Sequence, residues 1–276
     1  MAKTETNESG SCAVHFAVFG GIYNNYLALQ AAIEDAKRAG AEALYCLGDM
    51  GAFGPYPDRV FAPLRNNSVI CIQGNYDNSI GNDLQDCQCG YTDPRDNYFA
   101  KLSYDYTYAN TSAENRRWLR DLPSEHRIEV DGLRILMCHG SPRKTNEFLW
   151  ESTTSTQFLD KLADDYQADL ILATHTGIHW QRELTGGRRF VNVGVLGRPE
   201  NDGRTVVWYA QIRTGSDAVA GGIDIQFVPL EYDHLRLAQE MRDERLPQEF
   251  VSTIQTGWWT TCLEVLPSKE RRRGPF

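Results

Sequence analysis

Several features that mark specialised proteins are missing from this chain of 276 residues, and each absence narrows what it can be. No run of about 18 apolar residues occurs, so no membrane-spanning helix is expected. Basic charge is in deficit: 28 Lys and Arg stand against 37 Asp and Glu, a formal net charge of −9. General nucleic-acid binding is therefore not expected, because a phosphate backbone needs a basic footprint. Paired metal-binding cysteine motifs are also absent. Of seven cysteines, only Cys87-Gln88-Cys89 forms a close pair, and it lacks the C-x-x-C spacing of a zinc knuckle. Cys46, Cys71 and Cys138 fall in apolar runs and read as buried free thiols, which behave as small hydrophobes. An odd cysteine count in a long chain fits a reducing cytoplasm, and Met1–Gly10 is polar, without an apolar leader core.

What remains is patterned like a soluble globular protein with enough chain for one large core. Ala13–Phe19 is an apolar run ending in Gly20-Gly21, followed by the helical spacing of Leu27, Leu29, Ala32, Ile33 and Ala36. Ala43–Leu47, a Gly/Pro loop (Gly51–Pro57) and a helix near Asp58–Arg65 repeat the form, and Val69–Ile72 is a third strand. Such alternation implies parallel strands with short connections. Ser79–Pro94 has no periodicity. Asn97–Tyr108 and Ala113–Leu122 read as helices, the second started by Thr111-Ser112. Arg127–Val130 and Leu133–Cys138 flank Asp131-Gly132, a type I′ hairpin signal. Thr156–Tyr166 is helical, Asp169–Ala173 is a buried strand, and strands dominate from His179 until a late helix at Leu235–Met241. The expected division is a disordered tail over 1–11, a domain over 12–245, and a C-terminal extension over 246–276. In that extension Trp258 and Trp259 would pack on the body or on a second subunit, which leaves a homo-oligomer open, and the basic end reads as solvated.

Short polar motifs follow these strands in a fixed order: Gly20-Gly21-Ile22-Tyr23-Asn24-Asn25, Gly48-Asp49, Gly74-Asn75-Tyr76-Asp77, His139-Gly140-Ser141-Pro142 and Thr174-His175-Thr176-Gly177. Asp49, Asn75, His139 and His175 each lie just after an apolar strand-like run. In open α/β sheets ligands gather at the carboxyl ends of strands. Carboxylate, amide oxygen and imidazole suit hard to borderline divalent cations, which acidify water and neutralise phosphoryl oxygens.

In order and spacing these motifs resemble the calcineurin-like metallophosphoesterase superfamily, whose pattern is D-x-H, G-D, G-N-H-D, H-G and G-H-T-H. Gly54-Pro55-Tyr56-Pro57, Leu122-Pro123 and Asn192-Val193-Gly194-Val195-Leu196-Gly197-Arg198-Pro199 resemble a bacterial phosphodiesterase or diadenosine-tetraphosphatase-like branch. The resemblance implies an α/β fold, a four-layer αββα sandwich of two mixed sheets flanked by helices. It also implies two adjoining metal sites. The ligands of one fall at Gly21, Tyr23, Asp49 and Gly177, where only Asp49 keeps a ligating side chain. Those of the other fall at Asp49, Asn75, His139 and His175, a complete set. The expectation is one divalent transition metal (Mn, Fe or Zn), with a second metal doubtful.

Tyr76 stands where the family places its catalytic histidine, and it is expected to contact the phosphoryl group with Asp77 orienting it. A tyrosine's ordinary pKa near 10 makes it the poorer acid. Asn24 or Asn25 would brace the eroded loop. Arg143, Arg198 and Asn25 are candidate phosphate contacts, Arg182 follows the matched segments too, and Tyr23, Tyr26, Tyr56, Tyr76 and Tyr91 are candidates for lining a pocket. His179 would stand in for the lost histidine or, as the reading favours, lie past the turn on the outgoing strand. The expected function is a cytoplasmic hydrolase of phosphomonoesters or phosphodiesters acting on a small phosphorylated substrate or nucleotide. The alternative is a catalytically inactive homologue that binds such a ligand, and the third class is a scaffold.

Overall fold

A computed structural model describes residues 14–215 and 222–271. The expected tail over 1–11, Cys12 and the end of the basic tail lie outside the described residues. Two five-stranded sheets are formed among them. The first has the order β10-β9-β1-β2-β3, built from β1 (His15–Phe19), β2 (Ala43–Cys46), β3 (Ile70–Cys71), β9 (Val207–Thr214) and β10 (Ile223–Leu230). The second has the order β4-β5-β6-β8-β7, built from β4 (Glu125–Val130), β5 (Leu133–Cys138), β6 (Leu170–Ala173), β7 (Trp180–Glu183) and β8 (Arg189–Asn192). Both are mixed: β1, β2 and β3 run parallel, as do β5, β6 and β8, with antiparallel strands at the margins.

Alternation along the strands explains the layers. Phe16, Val18, Tyr45, Met137, Leu170, Leu172, Val191 and Ile212 face one another between the sheets. The opposite set of the first sheet, including Ala17, Phe19, Leu44 and Cys46, packs against α1 (Tyr26–Arg38) and against residues of α2 (Phe61–Asn66), α7 (His234–Asp243) and α8 (Gln248–Thr256). Leu136, Cys138, Ile171, Ala173 and Phe190 of the second sheet pack on Leu159 and Leu162 of α6 (Thr156–Asp165). Fully burying each Val, Leu, Ile, Phe or Met among them contributes roughly 1.5–3 kcal/mol. The result is the four-layer αββα sandwich expected from the sequence.

Local signals account for most boundaries. Asp131 (φ 52°) and Gly132 (φ 77°) are both left-handed, as a type I′ turn requires, and Val130 pairs with Leu133. Ser112 caps α5 (Ala113–Arg120) by accepting from Asn115 N, and Asp93 caps α4 (Pro94–Asn110). Two elements lie where the sequence pattern assigned none. The segment opening with Asn75 is helical, α3 (Asn75–Gly81), and the C-terminal stretch contains α8. Cys46, Cys71 and Cys138 are buried and free, as expected, but Cys87 and Cys89 are joined by a disulfide.

Candidate metal centre

The segments after β2, β5 and β6 bring Asp49, His139 and His175 together, and Asn75, at the start of α3 after β3, lines the same cavity as Asp49 and His175. Asp49 follows β2 in a left-handed conformation (φ 57°), and His175 follows β6 in the same region (φ 66°). Non-glycine residues held there are strained by on the order of 1–3 kcal/mol, a cost that concentrates at functional sites. Gly48 (φ 91°) and Gly74 permit the crossing of the first two turns. A Cβ on Gly48 would lie 2.2 Å from Gly74 N, and one on Gly74 would lie 2.3 Å from Asp49 Oδ1.

Ligand atoms of Asp49, His139 and His175 lie within 4.8 Å of one another, and all three residues are buried. His139 Nδ1 is 2.6 Å from the Leu47 carbonyl oxygen and so must carry the proton that it donates. That leaves Nε2 facing Asp49 Oδ2 at 3.2 Å and His175 Nδ1 at 3.1 Å. A histidine anchored through one nitrogen on a carbonyl presents the other as a metal ligand. Asn75 Nδ2 donates to the Cys87 carbonyl (2.8 Å) and to Cys89 Sγ (3.4 Å), which fixes the amide, while Asn75 Oδ1 is buried without a hydrogen-bond partner. Buried polar atoms are rarely left unpaired. With metal–nitrogen bonds near 2.1 Å, two cis ligands of an octahedral ion sit about 3 Å apart, close to the spacing of the two imidazoles. The residues present fit a divalent cation.

Electrostatics agree. Burial resists protonation of His139, but the Asp49 carboxylate beside it, with the Leu47 carbonyl and Asp77, raises its pKa overall. Burial and neighbouring His139 push His175 down to about 3, keeping it neutral. Burial, then the charge of Asp49, pushes Asp77 up to about 7. A bound cation would relieve this crowding of acids.

Little space is left around Gly21, Tyr23 and Gly177. The Tyr23 ring lies over Gly21, where a Cβ would come within 2.5 Å of Tyr23 Cε1, and beneath Gly197, where a Cβ would come within 2.3 Å of Tyr23 Cβ. A Cβ on Gly177 would meet the Trp259 ring at 3.3 Å and Arg198 Nη2 at 3.6 Å. Tyr23 therefore fills space beside Asp49, and its burial raises its pKa. A cavity of about 50 Å³ remains, lined by Asp49, Asn75, His175, Tyr91, Arg198 and Cys262, among others.

Several expected roles are corrected. Asp77 does not orient the Tyr76 side chain. Its carboxylate accepts from the backbone N–H groups of Asp49 (2.6 Å), Met50 (3.0 Å) and Gly74 (2.8 Å), so it ties two ligand-bearing turns together. Tyr76 lines the cavity, but its hydroxyl turns to α4 and donates to Ser103 Oγ (3.0 Å), and burial raises its pKa. Arg143 lies away from the cavity, because its guanidinium is held by Glu147 and sits over the Phe158 ring. Asn25 is buried and does not line the cavity. Its Oδ1 caps α1 at Ala28 N and its Nδ2 donates to the Leu196 carbonyl. That bracing, together with Asn24 Nδ2 on the Gly54 carbonyl, is the loop support expected of the pair.

His179 is outside the cluster, paired with Glu200 and stacked on Trp208 at 4.2 Å between centroids. Arg182 holds the Thr154 and Glu151 carbonyls. Tyr26 donates to Glu240, and Arg59 stacks on Tyr56, so neither tyrosine lines the cavity. Asn192 has a role that its motif does not display: its Nδ2 donates to the Thr174 carbonyl (2.6 Å) and Thr176 Oγ1 (2.9 Å) and pins the His175 turn.

Two mixed sheets whose strand ends gather an aspartate, an asparagine and two histidines define the metallophosphoesterase class. The calcineurin-like phosphoesterase superfamily domain matches residues 14–215, and the chain belongs to that family. It is similar to the uncharacterized protein MJ0912 of Methanocaldococcus jannaschii, 24% identical over 248 residues, covering 84% of this chain and 93% of that one. Among solved structures it resembles hypothetical protein PH1004 from Pyrococcus horikoshii OT3 (TM-score 0.71, 24% identity, 90% of this chain and 100% of that chain). It also resembles a metallophosphoesterase from Sphaerobacter thermophilus (TM-score 0.66, 22% identity, 89% and 100%). These structural likenesses establish the fold.

Proposed function

We propose that the protein is a metal-dependent phosphoester hydrolase working with one divalent transition-metal ion, Mn²⁺, Fe²⁺ or Zn²⁺, held by Asp49, Asn75, His139 and His175. The observation that carries this reading is the buried, unpartnered Asn75 Oδ1 beside three mutually close ligand groups. Such an ion acts as a Lewis acid on a phosphoryl oxygen and lowers the pKa of a bound water. The chain's own residues supply the rest. Asp49 provides the negative charge of the ligand set, Leu47 fixes the His139 tautomer, and Asp77 sets the relative position of the Asp49 and Asn75 turns. Tyr76, at the position of the family's histidine, donates its hydroxyl proton to Ser103 rather than toward the metal ligands. A leaving group then departs without a proton from position 76, which favours stable anions such as aryl oxides. The small cavity fits a phosphoryl group better than a whole nucleotide.

The orientation of Tyr76 also favours a second reading, a homologue that binds a phosphorylated ligand without turning it over. Protein loaded with Mn²⁺ should retain about one equivalent and hydrolyse an aryl phosphodiester faster than an Asp49→Ala control. Metal retention without turnover above that control would reject the hydrolase in favour of the binding protein. Failure to retain any metal would reject both.

A further inference from the structure

Arg198 is only 7% exposed, and its Nε has no hydrogen-bond partner. No carboxylate pairs with it among the described residues. Its neighbours are aromatic. The guanidinium carbon lies 3.5 Å from the centre of the Trp259 ring, 5.9 Å from that of Tyr23 and 6.0 Å from that of Phe53. Trp259 is itself fixed, its indole N–H donating to the Pro199 carbonyl (2.6 Å) and its backbone N–H to Asn201 Oδ1 (2.9 Å). Ring faces attract a guanidinium, and packing of that kind alone would explain an arginine at the surface. They do not replace the water lost by a buried charge, which ordinarily requires a counter-ion.

The location supplies the rest. The guanidinium borders Gly177 and Tyr23, two of the three positions where a ligand to a second cation has been lost. It lines the same cavity as Asp49, Asn75 and His175. A fixed positive charge thus stands beside the crowded half of the centre, facing the space shared with the surviving half.

We propose that Arg198 replaces the missing cation. Its planar fork clamps an oxygen of the phosphoryl group from the side opposite the metal, and the C-terminal segment holds that fork in place through Trp259. The ligand class is a phosphate-sized oxyanion, either inorganic phosphate or the terminal phosphate of a small ester, because a cavity of about 50 Å³ encloses little more. The inference rests on the one-metal reading for the identity of the opposite side, but binding by Arg198 is measured apart from it.

Inorganic phosphate is titrated calorimetrically into wild type, Arg198→Met and Arg198→Lys, each both loaded with Mn²⁺ and stripped with chelator. Metal content is measured in parallel. Arg198→Met keeps the buried volume and removes the charge. It should retain wild-type metal content and bind phosphate at least about 30-fold more weakly in both arms, with Arg198→Lys intermediate. Phosphate affinity of Arg198→Met within about threefold of wild type, or no phosphate binding by wild type in either arm, would overturn the proposal. If Arg198→Met fails to fold, Arg198→Lys decides, since an undiminished affinity there would overturn the fork. Loss of metal retention in wild type would reject the one-metal reading and leave the stripped-arm comparison intact.

Discussion

Replacing Asp49 with asparagine separates the charge of the centre from its architecture. Asn tolerates the left-handed conformation (φ 57°) that position 49 adopts, and it can still accept from Tyr76 N through its side-chain oxygen. The fold should survive. The ligand set loses its carboxylate, because the remaining members are an amide and two imidazoles. Disturbing even outer-shell partners of a metal costs 10–100-fold in affinity, so losing this inner carboxylate should cost at least roughly 100-fold. At a metal concentration of about 100 times the wild-type Kd, the ion stabilises the protein by about 2.7 kcal/mol. The same concentration then only matches the variant's Kd, and the stabilisation drops to about 0.4 kcal/mol. In a protein of this size 1 kcal/mol shifts Tm by about 2–4 °C, so a metal-induced rise of about 5–11 °C should shrink to about 1–2 °C. Calorimetric Tm with and without Mn²⁺, alongside metal analysis of dialysed protein, reads this directly. An Asp49→Asn variant that keeps the full metal-induced rise would refute the assignment of this carboxylate as a ligand.

Metal affinity should fall as pH falls. Asp49 and its neighbours raise the pKa of His139, and a proton there competes for the ligand nitrogen, so binding releases about one proton below that pKa and none above it. Titrations in buffers of different ionisation enthalpy test this, and affinity independent of pH would contradict it. Trp259→Ala removes a buried indole with its stacking partner and should cost about 3–5 kcal/mol, lowering Tm by on the order of 10 °C. A change within error in a calorimetric scan would show that the C-terminal segment is not docked. Gly197→Ala drives a methyl to within 2.3 Å of Tyr23 Cβ and should destabilise by about 1–3 kcal/mol. The same change in a Tyr23→Gly background should cost less, and additive effects in urea unfolding would mean that the two positions do not touch.

The layers and the clustering of the candidate ligands were legible because both depend on what a sequence displays openly. Strand periodicity placed β1, β2, β5 and β6, and the residue following each apolar run placed Asp49, His139 and His175 at the strand ends. Asp131-Gly132 announced its own turn through two left-handed residues. Side-chain direction was not legible. Asp77 and Tyr76 occupy the expected positions, yet one faces the backbone of the Asp49 turn and the other faces α4, because rotamers answer to neighbours distant in the chain. Asn25 and Arg143 looked available but are directed to the Leu196 carbonyl and to Glu147. Helix α8 and the stretch holding Trp259 fall beyond the matched motifs, so nothing in those motifs tied Trp259 to Arg198. The short α3 falls on the motif itself and on the start of the aperiodic Ser79–Pro94 stretch, so no apolar spacing announced it.

The most direct test is anomalous scattering from crystals soaked with Mn²⁺ and with Zn²⁺. One peak among Asp49 Oδ2, Asn75 Oδ1, His139 Nε2 and the His175 ring, with the Tyr23 side covered by aromatic and guanidinium density, is the expected result. A second peak beside Tyr23, or no peak at the four ligands, would contradict the account.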